Sequence, residues 1–318
     1  MKKSSFILII GLSSLMVSCS LFKKNEPKVD YPQAEEYPTS PAEDLTPEEP
    51  NVPSGETPKK GNYIVAGALP GEFHVSDNQT VHFSQGIAQF NPKKDEWRFA
   101  EDQNFTPGVE SYGNISTSTD AWYSQFCWGQ SGYNGNSITG GGYPSSMFSI
   151  KSIAGTKYDW GVYNAFTNGG NAADLWYCLS ADEWDYLLKH HKHAYGSVDG
   201  EVGVFLIPDN FVCPENIPFV VADGEYLSRF SEHPSYTNYE AMDHQSDDNT
   251  FDATQMAWLE AAGLVFLPSG SSWYVTTTGS ESYNDMVYTV KCSRSSIRWI
   301  CNGNPKNGRY LVRLVQKL

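Results

Sequence analysis

Three groups of side chains in this 318-residue chain are of types that can do chemistry, and each also has a purely structural reading. His190, His191 and His193 crowd a helix end, where His190 and His193, three residues apart, can share a face and ligate a metal. Imidazoles at that place also complement the helix dipole with no metal at all. Asp243, Asp247, Asp248 and Asp252, with Asn249, offer the hard oxygens that calcium takes. The stretch lacks the D-x-D-x-D-G order of an EF-hand loop, and a solvated loop feeding a helix cap accounts for it. Asp182, Glu183 and Asp185 could be catalytic carboxylates, yet their position in the first turn of a helix is explained by the dipole. Gly129-Gln130-Ser131-Gly132 is not a G-x-S-x-G elbow, and no H-E-x-x-H, C-x-x-C or phosphate-loop pattern occurs. No catalytic residue, metal ligand or cofactor is assigned. What remains is a polar and aromatic late segment: Trp273, Tyr274, Tyr283, Arg294, Arg298, Trp299, Asn302 and Asn304. Aromatic faces with Arg and Asn beside them suit recognition of a sugar or a protein better than bond breaking. Trp299, between Ile297 and Ile300, reads equally well as core.

These residues need elements to hold them. Glu72-Phe73-His74-Val75 and Thr80-Val81-His82-Phe83 alternate around Ser76-Asp77-Asn78-Gln79, which predicts a β-hairpin with His74 and His82 as strand residues. Strand continues from Gly86 to Phe99 with a turn at Asn91-Pro92. From Tyr112 to Gly170 the chain is dense in Gly, Ser, Asn, Tyr and Trp, a composition for long, internally packed loops. Ser180 and Glu183 form a capping box, so a helix follows with Trp184, Leu187 and Leu188 on one face and Gly196 closing it. Asp252 and Gln255 repeat the device ahead of Met256, Trp258 and Leu259, with Gly263 at the end. Each helix leads toward an apolar strand stopped by proline, Val204 to Pro208 and Leu264 to Pro268. Ile297 to Ile300 and Tyr310 to Val315 read as closing strands. Few helices, many short strands and Gly-rich excursions predict an α+β fold for residues 61–318, taken as a single domain.

Before that domain lie two segments of different character. Lys2 and Lys3 precede the apolar run Phe6 to Val17, too short to cross a ~30 Å hydrocarbon layer, so residues 1–18 read as a signal peptide. The run ends in Leu15-Met16-Val17-Ser18-Cys19, which resembles the lipobox of bacterial lipoproteins and implies acylation of Cys19; an ordinary secreted free cysteine is the alternative. Lipid chains bury ~0.8 kcal/mol per CH₂, so several of them anchor a protein stably. Residues 19–60 carry eight prolines and nine acidic side chains with few aliphatics, a composition for a disordered tether. The expected address is an outer-membrane lipoprotein facing the cell surface or the periplasm, touching the membrane through its anchor only. With 22 basic against 37 acidic residues the chain repels phosphate backbones, and nucleic acid is excluded as a partner. Five cysteines remain after Cys19, an odd number. Cys292 and Cys301 could bridge across a turn, while buried thiols packing as small apolar groups are the default.

Gly71 to Val75, Val81 to Gly86, Trp97 to Glu101, Phe126 to Gly129 and Ser131 to Asn134 stand in an order that resembles a family of uncharacterised Bacteroides-type surface lipoproteins. Ser180 to Leu188, Leu206 to Asp209, Leu259 to Gly263, Val265 to Pro268 and Val312 to Val315 extend the likeness over residues 67–318. That family is similar in layout to the C-type-lectin-like folds of formylglycine-generating enzymes, phage tropism determinants and major paralogous domains. The resemblance implies a lectin-like α+β domain whose irregular loops bind a glycan or protein ligand without catalysis. It also admits a diverged formylglycine-generating-type enzyme, for which Cys292 and Cys301 would be the nearest cysteine pair, or a structural component of a surface assembly.

Overall fold

The computed structural model describes residues 57–58, 65–105, 118, 120–136, 138, 142–221, 229–233, 236–240, 249–270, 273–293 and 296–318, with the backbone alone for the strand residues within 229–240 and 293–303. The chain separates into Met1–Glu48 and Glu49–Leu318, and the structure below is that of the second. Cys19, the signal peptide, nearly all of the tether, Arg294, Asp243, Asp247 and Asp248 lie outside the described residues.

Strands β1 (Phe73–Ser76) and β2 (Gln79–Phe83) form the hairpin that the alternation predicts, with Phe73, Val75, Val81 and Phe83 inward and His74 half exposed. A second hairpin, β3 (Ala88–Asn91) and β4 (Glu96–Phe99), turns where the Asn91 side-chain oxygen accepts the amides of Lys93 and Lys94, each at 3.1 Å. This side chain satisfies two turn donors, which is why the chain reverses there. A one-turn helix, α1 (Trp160–Tyr163), and the short strand β5 (Tyr177–Cys178) bound the loop-rich middle section.

Helix α2 (Ala181–His190) begins at the predicted capping box: Ser180 Oγ accepts the Glu183 amide at 3.3 Å, and the Glu183 carboxylate accepts the Ser180 amide at 2.7 Å. Its buried face is Trp184, Leu187 and Leu188, three side chains worth roughly 1.5–3 kcal/mol each in burial. The helix stops at His190, five residues short of the expected glycine, because His191 is extended and the chain passes directly into β6 (His193–Val198). Gly196 therefore sits inside a strand. A Cβ there would come within 2.1 Å of the Asn249 carbonyl oxygen, so the position is small to let the neighbouring chain pass. The pairing of His190 with His193 on one helix face fails for the same reason: one is the last helical residue, and the other is buried in β6.

After β7 (Glu201–Leu206), β8 (Arg229–His233), β9 (Tyr236–Glu240) and β10 (Thr250–Phe251), Asp252 and Gln255 cap α3 (Ala253–Ala261) as expected. Gly263 follows with φ +90°, a left-handed conformation that suits glycine, and β11 (Val265–Pro268) returns. Of the candidate calcium oxygens, Asp252 is thus a helix cap. Asn249 is buried, its amide joining the Tyr195 carbonyl and the backbone of Val220, so it is a stitch between segments and not a surface ligand. Strands β12 (Tyr274–Gly279), β13 (Met286–Ser293), β14 (Ser296–Pro305) and β15 (Leu314–Lys317) complete the order. The closing strand is shorter than the apolar run from Tyr310 predicts, because Tyr310 and Leu311 instead make single bridges to Phe126 and Tyr274.

The sheets run β1-β2-β15-β5, β10-β6-β7-β11 and β12-β13-β14-β9-β8, with the β3-β4 hairpin separate. All pairings are antiparallel except β10 with β6. Among the described residues, three α-helices accompany these sheets, which makes the fold mixed α+β and mostly antiparallel. The two proline-terminated strands lie side by side, Val265 opposite Leu206. One core joins the first hairpin to α2, β7 and β11; a second, rich in Trp and Phe, lies beneath the glycine-rich loops; a third packs α3 on β7 and β11. No helix among the described residues is long and apolar enough to cross a membrane.

Among the described residues, the Trp-rich core encloses a cation. Lys306 is fully buried, with its ammonium 4.4 Å over the Trp128 ring, and it donates to the carbonyls of Met147, Phe148 and Ile150. Burial, then the neighbouring Lys151 ammonium, pushes its pKa down to about 8. At pH 7 the cation still dominates.

Candidate functional site

The late aromatic segment does not come together as one surface. Tyr274 is fully buried in β12 as part of the first core, which corrects its assignment as a ligand contact. The inward side of a strand shared with Val290 and Leu311 excludes it from solvent. Trp273, just before β12, is half-buried against the Trp-rich core with the Lys291 ammonium 5.0 Å over its ring. Tyr283 is 53% exposed in the turn after β12. Six strand residues, about 20 Å, separate the two rings along the chain. Asn304 is engaged with Thr289 Oγ1 at 2.6 Å. Arg298, Trp299 and Asn302 fall on β14, where the register places Arg298 beside Lys291 and Trp299 beside Val290; their side chains are outside the described set.

Cys292 and Cys301 do not form the nearby pair. Both are on adjacent strands, but Cys292 is opposite Ile297, four residues or about 13 Å from Cys301 along β14, beyond the reach of a disulfide. Cys292 is a free, buried thiol pushed up to about 12 by burial. Cys127 and Cys178 are likewise buried and free, packing as small apolar groups.

Two clefts and one surface cluster were not legible as sites in the sequence. The first cleft, about 670 Å³, opens between the β1-β2 hairpin, β5, the start of α2 and β15. Gln79, Asp174, Tyr177, Glu183, Gln316 and Lys317 supply its polar lining. Glu183 is saturated: one oxygen accepts the Ser180 amide, and the other accepts Gln79 Nε2 at 3.0 Å and the Tyr177 hydroxyl at 3.4 Å. The Tyr177 hydroxyl also accepts from Gln79, and burial followed by the Glu183 charge moves its pKa upward. Behind this wall sits Asp159, fully buried, whose carboxylate accepts the amides of Gly161 at 3.1 Å and Cys178 at 3.0 Å. Desolvation outweighs those bonds and pushes Asp159 up to about 7, with the charges of Glu183 and Asp174 adding to the rise.

The second cleft, about 570 Å³, lies between the turn of the β3-β4 hairpin, the 131–136 segment with Ile138, and the end of α1. Trp97 and Phe90 form its buried floor, and Tyr163 stands at the rim, 39% exposed. The loop is fixed from inside: Ser131 Oγ donates to the Lys157 carbonyl at 2.6 Å, and Asn164 Nδ2 donates to the Ser131 carbonyl at 3.0 Å. Asn136 is buried and donates to the Gly129 carbonyl at 2.9 Å, while its Oδ1 accepts no hydrogen bond. Only the glycine and tyrosine density of this section hinted that loops here would be built.

The surface cluster joins residues distant in sequence. Asp209, just after β7, holds one oxygen 2.5 Å from His74 Nδ1 and the other 3.2 Å from His191 Nδ1, the latter without hydrogen-bond alignment. His191 Nε2 donates to the His74 carbonyl at 2.7 Å, which leaves Nδ1 to carry the lone pair of the neutral ring. Burial keeps His191 below the usual histidine range despite the Asp209 charge. The cluster clasps the β7 exit onto β1, and no group of three or more His, Cys, Asp or Glu among the described residues is arranged to hold a metal.

Comparison of the chain with protein-family models, with curated proteins and with solved structures finds no match.

Proposed function

We propose that this chain is a lipid-anchored protein of the bacterial cell envelope that displays a C-type-lectin-like domain for binding a glycan or protein ligand, without catalysis. The observation that carries the binding reading is the state of the acid-base groups around the first cleft. Glu183 is committed to a helix cap and two side-chain donors, and Asp159 is sealed behind it with backbone amides as partners. Groups held this way shape a surface and leave little capacity for proton transfer to a substrate. The burial of Cys292 speaks in the same direction against thiol chemistry of the formylglycine-generating type. The resemblance of the ordered sequence blocks and the mostly antiparallel α+β fold support the lectin-like assignment. The anchor and its envelope address rest on the Leu15 to Cys19 lipobox.

Two measurements test this. Cells fed an alkyne-palmitate label incorporate it into the wild-type chain, and Cys19→Ser abolishes incorporation and releases the chain from the membrane fraction; retained label in the variant defeats the anchor. For binding, the full chain in detergent is applied to a glycan array and to immobilised envelope extract, with Trp273→Ala and Tyr283→Ala alongside. An aromatic ring that touches the ligand costs about tenfold on truncation, equivalent to ~1.4 kcal/mol, so the two variants separate a contact at Trp273 or Tyr283 from one elsewhere on the domain. Absence of any specific capture removes the binding function, and capture untouched by either substitution removes the late aromatic surface from the site.

A further inference from the structure

We infer that the second cleft, between the β3-β4 turn and the 131–136 segment, is a binding site for a neutral saccharide residue. This deepens the binding reading above and rests on it, but it moves the contact away from the late aromatic segment. The first reason is the wall. Tyr163 presents a partly exposed ring at the rim, and that ring is braced edge-on by Tyr133 at 5.4 Å, itself held edge-on by Tyr158 at 5.2 Å. A fixed aromatic face loses little freedom when an apolar face of a ligand settles on it, and the C–H face of a pyranose is such a surface.

The second reason is the hydrogen-bonding character of the lining. The free capacity is mostly for accepting: the exposed Asp95 carboxylate on one side, and on the other Asn136 Oδ1, which is buried without a donor. A carboxylate at the mouth of a cleft accepts from ligand hydroxyls, and such charge-assisted bonds are stronger than neutral ones. A carboxylate and an aromatic rim that line one cleft select a ligand that combines hydroxyl donors with an apolar face. The third reason is charge. Lys157 places its ammonium 5.6 Å over the Tyr133 ring, and Asp95 is the one carboxylate among the lining residues. The lining holds no cluster of either sign that would select strongly for a charged ligand, which favours a neutral sugar over a cationic side chain or an anionic headgroup. At about 570 Å³ the cleft is within the ~300–1,000 Å³ usual for small-ligand sites.

Saturation-transfer NMR tests the site, using the full chain in detergent and a panel of methyl glycosides of glucose, galactose, mannose and N-acetylglucosamine with their disaccharides. The expected result is transfer from aromatic protons to the ring C–H protons of at least one probe, with affinity reduced about fivefold to tenfold by Tyr163→Ala and retained by Tyr163→Phe. Asp95→Asn keeps a residue type that tolerates the local φ of +53° and is expected to weaken the same probe at least about twofold. The inference is overturned if no probe shows transfer at millimolar concentration, or if a bound probe is indifferent to both Tyr163→Ala and Asp95→Asn. A chain that captures a ligand in the array or extract assay yet shows no such transfer defeats the saccharide cleft alone; failure in both assays defeats the binding function with it.

Discussion

Replacing Lys306 with methionine is expected to destabilise the domain by about 3 kcal/mol, measured as a lowered urea midpoint with the m-value unchanged. Methionine fills the volume of the lysine stem, so the loss does not come from a cavity. Because the Met147 carbonyl also accepts the Ile150 amide at 3.3 Å, the loss comes mainly from the carbonyls of Phe148 and Ile150, which turn inward toward the Lys306 ammonium. Without it they are acceptors in an apolar core, and the Trp128 face loses its cation. The consequence is more than stability, because residues 144–150 carry the chain from the Gly-rich loops into the segment that bridges Ser152 to Thr278. A variant as stable as wild type would show that these carbonyls find water or another donor, and would remove Lys306 as the organiser of this core.

The second large effect is pH-dependent and centres on Asp159. Its folded-state pKa is raised from 3.8 to about 7, so between those values the folded chain holds a proton that the unfolded chain has released. Stability from this group is therefore fully present below about pH 4 and is lost as pH rises through about 7. A displacement of this size corresponds to roughly 4 kcal/mol. Asp159→Ala removes the titration and leaves the amides of Gly161 and Cys178 without their acceptor, a loss of about 3 kcal/mol at pH 5. The difference between wild type and variant narrows toward pH 8, where the wild-type carboxylate is charged and desolvated. Parallel stability profiles for the two proteins between pH 4 and 8 would contradict the burial of an ionisable Asp159.

Residues close in sequence announced the helices and hairpins well. Ser180 with Glu183 and Asp252 with Gln255 are capping boxes whose partners are three residues apart, so the hydrogen bonds are written into the local chain. The β1-β2 hairpin, the turn at Asn91 and the apolar strands ending at Pro208 and Pro268 follow from alternation and turn chemistry in the same way. The same local logic misplaced Gly196, because a glycine beyond a helix pattern reads as a cap. The real constraint there is the Asn249 backbone, 53 residues away, crossing the strand. It also overvalued Tyr274, which reads as one more member of the polar and aromatic late segment until the partner strands that cover it are known.

By itself, then, the sequence determined the element types, the α+β class and the acidic balance, and raised the expectations that nucleic acid is not a partner and that the amino terminus is anchored. Only the tertiary structure brought Asp209 between His74 and His191, set Gln79 and Tyr177 on Glu183, and put Asn136 and Tyr163 in the lining of one cleft. Helix caps and strand alternation are decided by neighbours within a few residues, where the chain geometry is fixed. Clefts are made by segments tens to more than a hundred residues apart, and what each side chain can still bind depends on which of its hydrogen bonds the packing has already used.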